Sequence, residues 1–150
     1  MPDYHLVSAN LIEEDGKYLL VQEGKEHVRG QWNVPAGSIE KEEKAVDTAI
    51  REASEEAGVE VEAESLTGVF FDQSDYLDAT VVIFVFHCSI KNSDFELEPD
   101  AEEEILDTGF FAKEEISQKN LRTPFIQDAV ENLENSNTLS LNAVKDYRQK

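Results

Sequence analysis

Residues 37–59 read GSIEKEEKAVDTAIREASEEAGV, and this stretch predicts the long helix around which the chain is organised. Residues 42–57 contain neither Gly nor Pro, and Gly58 follows them as a residue that readily adopts the left-handed conformation common at helix ends. At about 100° per residue, the apolar side chains fall on one face, which predicts packing against a sheet. That face consists of Val46, Ala49, Ile50, Ala53 and Ala57.

Three glutamates lie together on an adjoining face of the predicted helix. Glu52, Glu55 and Glu56 are three and four residues apart, a spacing that brings their side chains together on successive turns. Their mutual repulsion destabilises a helix by about 0.2–0.5 kcal/mol per pair unless a cation lies between them. Most glutamate pairs on the helices of an acidic chain are simply hydrated. The face is therefore either a solvated surface or a metal site.

The glutamates belong to a longer pattern, G-x5-E-x7-R-E-U-x-E-E-x-G-U, in which U is an apolar residue. Its specified positions are Gly37, Glu43, Arg51, Glu52, Ala53, Glu55, Glu56, Gly58 and Val59. So many specified positions make a chance match rare, and a solvated helix face does not require the glycines or the arginine. The pattern resembles the Nudix box of the Nudix hydrolases.

Two further segments resemble characteristic parts of the same family. GQWNVPAG at residues 30–37 is similar to the G-x-W-x-x-P-x-G segment before the box, and EILDTGFFAKEEI at residues 104–116 is similar to a later strand and helix. The resemblance covers about residues 5–118. It implies an α/β (α+β) fold, an α/β/α sandwich around a mixed sheet, in which the box forms a loop, a helix and a loop.

The resemblance also implies an activity and a set of site residues. Nudix hydrolases cleave a nucleoside diphosphate linked to another group, and they use divalent cations. It implies that Mg²⁺, with Mn²⁺ as a substitute, is bound by Glu52, Glu55, Glu56 and the backbone carbonyl of Ala36. One glutamate also orients or deprotonates the attacking water. We favour Glu52 for this role, with Glu55 as its rival.

The remaining site residues have supporting or open roles. Gly37 lets the loop approach the metals, Gly58 ends the helix, and Glu43 is predicted to form a buried ion pair with Arg51 that ties the loop to the helix. Glu104 is either a further metal ligand or base, or one more surface acid. The two loop arginines that could bind a phosphate, or could simply be solvated, are Arg29 and Arg122.

The rest of the chain predicts one domain over residues 1–150, with a tail from about residue 136 that could be partly mobile. Strands are predicted at residues 5–12, 17–22, 32–34, 59–64, 66–71, 80–90 and 108–112. A short helix is predicted at residues 113–118. A further helix begins at Pro124, with Thr123 as its N-cap.

Composition limits the partners and the compartment. Thirteen Lys plus Arg against 33 Asp plus Glu give a formal charge of -20. Such a surface repels nucleic acid and anionic membranes, so we expect neither as a partner. Cys88 lies alone in an apolar run, which predicts a buried, inert thiol and a reducing, cytoplasmic setting. We expect a monomer or a homodimer.

The substrate is predicted only as a class. NLRTPF at residues 120–125 and WNVPAGSIE at residues 32–40 resemble the Nudix phosphatases that act on nucleoside tri- and diphosphates and on thiamine-type pyrophosphates. Tyr76 lies where dinucleoside polyphosphate hydrolases carry a tyrosine, and ADP-ribose hydrolysis also stays open. A module that senses a nucleotide without cleaving it is the alternative from another class.

The acidic surface leads to a prediction about salt. Because the acidic residues are spread along the whole chain, the composition resembles that of halophilic proteins, and charge repulsion opposes the compact state. We expect the melting temperature to rise steeply with KCl concentration, since added salt screens this repulsion. A melting temperature that does not change between low and molar KCl, followed by circular dichroism, would reject the halophilic interpretation.

Overall fold

The computed structural model describes residues 3–92, 94–98 and 100–148. The strands are β1 (Tyr4–Glu14), β2 (Lys17–Glu23), β3 (Trp32–Asn33), β4 (Ala36–Ser38), β5 (Val61–Ser74), β6 (Ala79–Ile90) and β7 (Ile105–Phe111). The helices are α1 (Ala45–Ala57), α2 (Lys113–Ile116) and α3 (Phe125–Glu134), with short 3-10 turns at Glu26–Val28 and Leu141–Ala143.

The strands form one mixed sheet. Its central order is β3-β2-β1-β6-β5, while β4 also pairs with β1 and β7 with β2. β1 and β6 run parallel, and the other pairs are antiparallel. The predicted hairpin at Asp15 and Gly16 is present, and both residues have the positive φ that such a turn requires, at 52° and 77°. The predicted mixed sheet is therefore confirmed.

Helices cover both faces of this sheet. On one face, α3 and α2 bury side chains that include Phe125, Ile126 and Ile116 against Leu11 and Val85. On the other face, α1 packs through the apolar stripe predicted from its sequence. The layers are helix, sheet and helix, as expected for the predicted sandwich.

Helix α1 is fixed to the centre of the sheet by two side chains of β1. Asn10 Nδ2 donates to the carbonyl of Ala49 (2.6 Å), and Ser8 Oγ donates to the carbonyl of Ala45 (2.7 Å). Both polar residues are fully buried, so these hydrogen bonds hold the helix in one position on the strands. The glutamates of α1 are thus carried by a rigid element.

Several predicted boundaries were wrong. Helix α1 begins at Ala45, because Glu42 has a φ of 68°, which is incompatible with a helical turn. The two strands predicted at residues 59–64 and 66–71 are one strand, β5, interrupted by register shifts near Ser65 and Gly68. Pro124 is the N-cap of α3 rather than its first residue. The three-residue strand β4 was not predicted.

The segment after α3 lies along β5 and the α1 side of the sheet. Leu139 and Leu66 exchange two backbone hydrogen bonds (2.8 and 2.9 Å), and Leu141 and Val144 pack against the core. Cys88 is buried, and burial raises the pKa of its thiol to about 12, as expected for an inert core cysteine. Among the described residues, no helix is long and apolar enough to cross a membrane.

Candidate active site

Three glutamate carboxylates meet beside helix α1. Glu52 and Glu56 lie one turn apart on this helix, and Glu103 approaches them from the turn before β7. One oxygen from each side chain lies within 4.8 Å of the others. This arrangement places three acidic side chains around a space suited to a cation.

The loop before α1 is shaped to fit these glutamates. Glu56 Oε1 accepts a hydrogen bond from the backbone N–H of Ala36 (2.9 Å). A Cβ atom at Gly37 would overlap the carboxylate of Glu52, so a larger residue at this position would displace that side chain from its place in the cluster. Strand β4 holds both loop residues in register with β1. The loop and the helix therefore form one surface.

In the absence of a cation, burial disfavours the ionised forms of Glu52 and Glu56. The pKa of Glu56 is raised to about 8, mainly by burial and further by the negative charges of Glu52, Glu23 and Glu103. The pKa of Glu52 is raised to about 7, again mainly by burial, although the nearby Arg51 opposes the shift. A divalent cation would remove this penalty. The donors are carboxylate oxygens, the ligand type that Mg²⁺ and Mn²⁺ prefer, so the residues fit the metal.

The ion pair predicted between Glu43 and Arg51 is present and half-buried. Arg51 Nε and Nη2 donate to the two oxygens of Glu43 at 2.8 and 3.1 Å, and Thr48 Oγ1 donates to the same carboxylate (2.6 Å). The hydrogen bonds from Arg51 lower the pKa of Glu43 to about 2. This pair connects the loop after β4 to the middle of α1.

Two predicted metal ligands lie outside the cluster of Glu52, Glu56 and Glu103. Glu55 is exposed, and both of its oxygens accept hydrogen bonds from Arg51 Nη1 (3.2 Å each). Glu104 is also exposed, has a φ of 58°, and accepts the Gly24 N–H through its backbone carbonyl (2.7 Å). Their roles as ligand or base stay predictions. The structure brings the neighbouring Glu103 into the cluster, which the sequence pattern did not predict.

The two loop arginines differ in their surroundings. Arg29 is exposed, and its Nη1 donates to the carbonyl of Gly24 (3.0 Å). Arg122 Nη1 donates to both oxygens of Glu23, at 3.0 and 2.9 Å. Glu23 is a buried carboxylate. No pattern in the sequence marks it, because it stands alone at the end of a strand.

An aromatic stack joins two loops of the molecule. The rings of His27 and Tyr76 are 3.8 Å apart between centroids and 7° from parallel. His27 lies in the turn after β2, and Tyr76 lies in the turn between β5 and β6. Nothing in the spacing of the histidines indicates this contact, so the sequence predicts no role for His27.

Comparisons with known proteins find similarity over most of the chain. A family model of the NUDIX domain matches residues 5–133. The chain is 42% identical over 65 residues to 8-oxo-dGDP phosphatase NUDT18 of Homo sapiens, which covers 43% of this chain and 20% of that protein. It is 43% identical over 74 residues to the low-salt glycan biosynthesis protein Agl8 of Haloferax volcanii, covering 47% of each.

A solved structure matches nearly the whole chain. The NUDIX hydrolase from Nitrosomonas europaea superposes with a TM-score of 0.84 at 28% identity, covering 98% of both chains. The matched segments span about a fifth to a half of the length of these curated relatives.

Proposed function

Because the chain belongs to the Nudix hydrolase family, we propose that it hydrolyses the phosphoanhydride bond of a nucleoside di- or triphosphate, or of a related diphosphate-linked metabolite, with Mg²⁺. Mn²⁺ would serve as a substitute. The observation that carries the proposal is the approach of Glu52, Glu56 and Glu103 to within 4.8 Å beside Gly37. A diphosphate brought to a chain with a charge of -20 requires such a cation site.

The proposed reaction assigns a task to each acidic side chain. Glu52, Glu56 and Glu103 would hold the cation, which when bound neutralises phosphate charge and makes an attacking water more acidic. Glu52 is our candidate to accept the proton as that water attacks phosphorus and the phosphoanhydride P–O bond breaks.

The residues around the glutamates would keep them in position. Arg51 donates hydrogen bonds to Glu43 and Glu55, so its positive charge is paired within the protein. These contacts also orient the helical turn that carries Glu52. The Ala36 N–H fixes the rotamer of Glu56 through a 2.9 Å hydrogen bond. We therefore assign Glu43 and Arg51 to support, and the acids that face the cluster to chemistry.

The relatives suggest which compounds to test first. The 42% identity to an 8-oxo-dGDP phosphatase favours nucleoside diphosphates. A nucleotide sensor is the second candidate, but the retained box glutamates and their shared site favour an enzyme. ADP-ribose and dinucleoside polyphosphates complete the panel.

The test is a substrate panel assayed for orthophosphate and pyrophosphate. We expect turnover of at least one nucleoside di- or triphosphate with Mg²⁺, and loss of that turnover with EDTA. The ratio of the two products identifies the bond that is cleaved. If nucleotides bind to the protein, detected by calorimetry, yet no compound is hydrolysed with Mg²⁺ or Mn²⁺, the sensor function replaces the enzymatic one.

A further inference from the structure

The ion pair between Glu23 and Arg122 joins distant parts of the chain at the edge of the acidic cluster. Glu23 is the last residue of β2, and only 8% of it is exposed. Its two oxygens accept hydrogen bonds from a single nitrogen, Arg122 Nη1, at 3.0 and 2.9 Å. Removing one partner of a buried ion pair is destabilising, because the other charge is left uncompensated.

Glu23 lies beside the proposed metal site. Its negative charge contributes to the raised pKa of Glu56, so the two carboxylates are close enough to interact. The next residue, Gly24, donates its N–H to the Glu104 carbonyl (2.7 Å), in the turn that carries Glu103. The Glu23–Arg122 pair therefore lies at the end of β2, beside the turn that carries Glu103.

The segment that carries Arg122 is fixed by its backbone and by a neighbouring side chain. The Arg122 N–H donates to the carbonyl of Trp32 (2.9 Å), and the Trp32 N–H donates to the carbonyl of Asn120 (2.8 Å). Thr123 Oγ1 donates to Asp72 Oδ2 on β5 (2.9 Å). These contacts fix the backbone that carries Arg122. Its guanidinium can therefore move only through rotations of its own side chain.

Two of the three guanidinium nitrogens of Arg122 lack a partner among the described residues. Nε and Nη2 have no hydrogen-bond partner in the part of the chain that the structure describes, and 39% of the side chain is exposed. Arg51, by contrast, is already bonded to Glu43 and Glu55. A planar guanidinium with free donors beside an acidic metal site suits a phosphate, which needs positive charge as well as hydrogen bonds.

We propose that Glu23 positions Arg122 so that the free Nε and Nη2 donate to a phosphate oxygen of the diphosphate substrate. Arg122 is then a substrate-binding residue, and Glu23 is a positioning residue that acts through it. The inference rests on the proposed function and adds the side chain that recognises the phosphate. Arg29, the other arginine considered for this role, has no such acidic anchor among the described residues; its Nη1 donates to the Gly24 carbonyl.

The test compares KM and kcat for four variants on the best substrate of the panel. Arg122→Gln should raise KM roughly 10- to 100-fold, the loss expected for a hydrogen bond between charged groups, with a much smaller change in kcat. Arg122→Lys keeps the charge but not the planar fork, and should recover part of the loss. Glu23→Gln should raise KM by less than Arg122→Gln. In the double variant, Glu23→Gln should add no further rise, because Arg122 is already gone.

Binding of methylenediphosphonate with Mg²⁺, measured by calorimetry, gives a readout that does not need turnover. We expect Arg122→Gln to weaken this binding by a similar factor and Lys113→Gln, which breaks a surface pair with Glu134 (3.2 Å), to leave it unchanged. Melting temperatures show whether each variant is folded.

Two results would overturn the inference, and both differ from failure of the proposed function. An active wild-type enzyme whose KM and methylenediphosphonate affinity are unaffected by Arg122→Gln would exclude the phosphate contact. A Glu23→Gln effect of equal size with and without Arg122 would show that Glu23 does not act through the arginine. An inactive wild-type protein that still loses methylenediphosphonate binding in Arg122→Gln would instead leave the phosphate contact standing and reject the proposed hydrolysis.

Discussion

Replacing Glu56 or Glu52 by Gln is expected to lower kcat by roughly 10²–10⁴-fold while the protein stays folded. Each substitution keeps the size of the side chain and removes one charged oxygen donor from the three-glutamate cluster. Burial already raises the pKa of each carboxyl, so a neutral amide at either position costs the fold little. The loss should therefore appear in activity and not in stability.

The matched control for these variants is Glu62→Gln. Glu62 is an exposed acid on β5, outside the acidic cluster, and its replacement changes the net charge by the same amount. We expect it to keep wild-type kcat. Initial rates with saturating Mg²⁺, together with near-ultraviolet circular dichroism, separate chemistry from unfolding. Near wild-type rates for both Glu52→Gln and Glu56→Gln would show that the metal assignment is wrong.

The second large effect concerns the pH dependence of metal-free stability. The folded-state pKa is about 8 for Glu56 and about 7 for Glu52, against an ordinary value of 4.5. The folded protein thus holds protons that the unfolded chain releases, so their contribution is fully present below about pH 4.5. It is lost as pH rises through the folded pKa values. We expect the free energy of unfolding to fall by a few kcal/mol, on the order of 1.4 per pKa unit, between pH 5 and 9.

Urea unfolding in EDTA at constant, high KCl measures this effect, since salt screens the general repulsion of the acidic surface. Glu56→Gln should flatten the pH profile and should be more stable than the wild type above pH 8, whereas Glu62→Gln should keep the wild-type slope. Mg²⁺ should restore the wild-type stability at high pH, because a cation favours the ionised glutamates. If the free energy of unfolding of the wild type does not change from pH 5 to 9, the raised pKa values of the buried glutamates are contradicted.

The local pattern of the sequence is sufficient to predict helix α1 and the two glutamates that this helix contributes to the cluster. A period of 3.6 residues determines which side chains share a helix face, so the spacing alone places Glu52 and Glu56 together. The apolar stripe from Val46 to Ala57 likewise predicts which face meets the sheet. Gly37 follows from its place in the motif, and the structure adds the reason, which is the carboxylate of Glu52 lying against it.

The rest of the site depends on contacts between residues far apart in the sequence. In the run DAEEEI, spacing alone could not distinguish Glu103 from Glu104, because the choice depends on a turn in which Glu104 has a positive φ. Glu55 contacts Arg51 and does not join the other two helix glutamates. The helical period cannot predict which of these partners a side chain takes. Glu23 and Arg122 are 99 residues apart, so no local pattern could pair them.

The most direct test of the metal site is a crystal soaked in Mn²⁺ and measured at a wavelength where manganese scatters anomalously. We expect an anomalous peak between the carboxylates of Glu52, Glu56 and Glu103, next to Gly37. Well-ordered carboxylates with no anomalous peak between them at saturating Mn²⁺ would contradict the metal site.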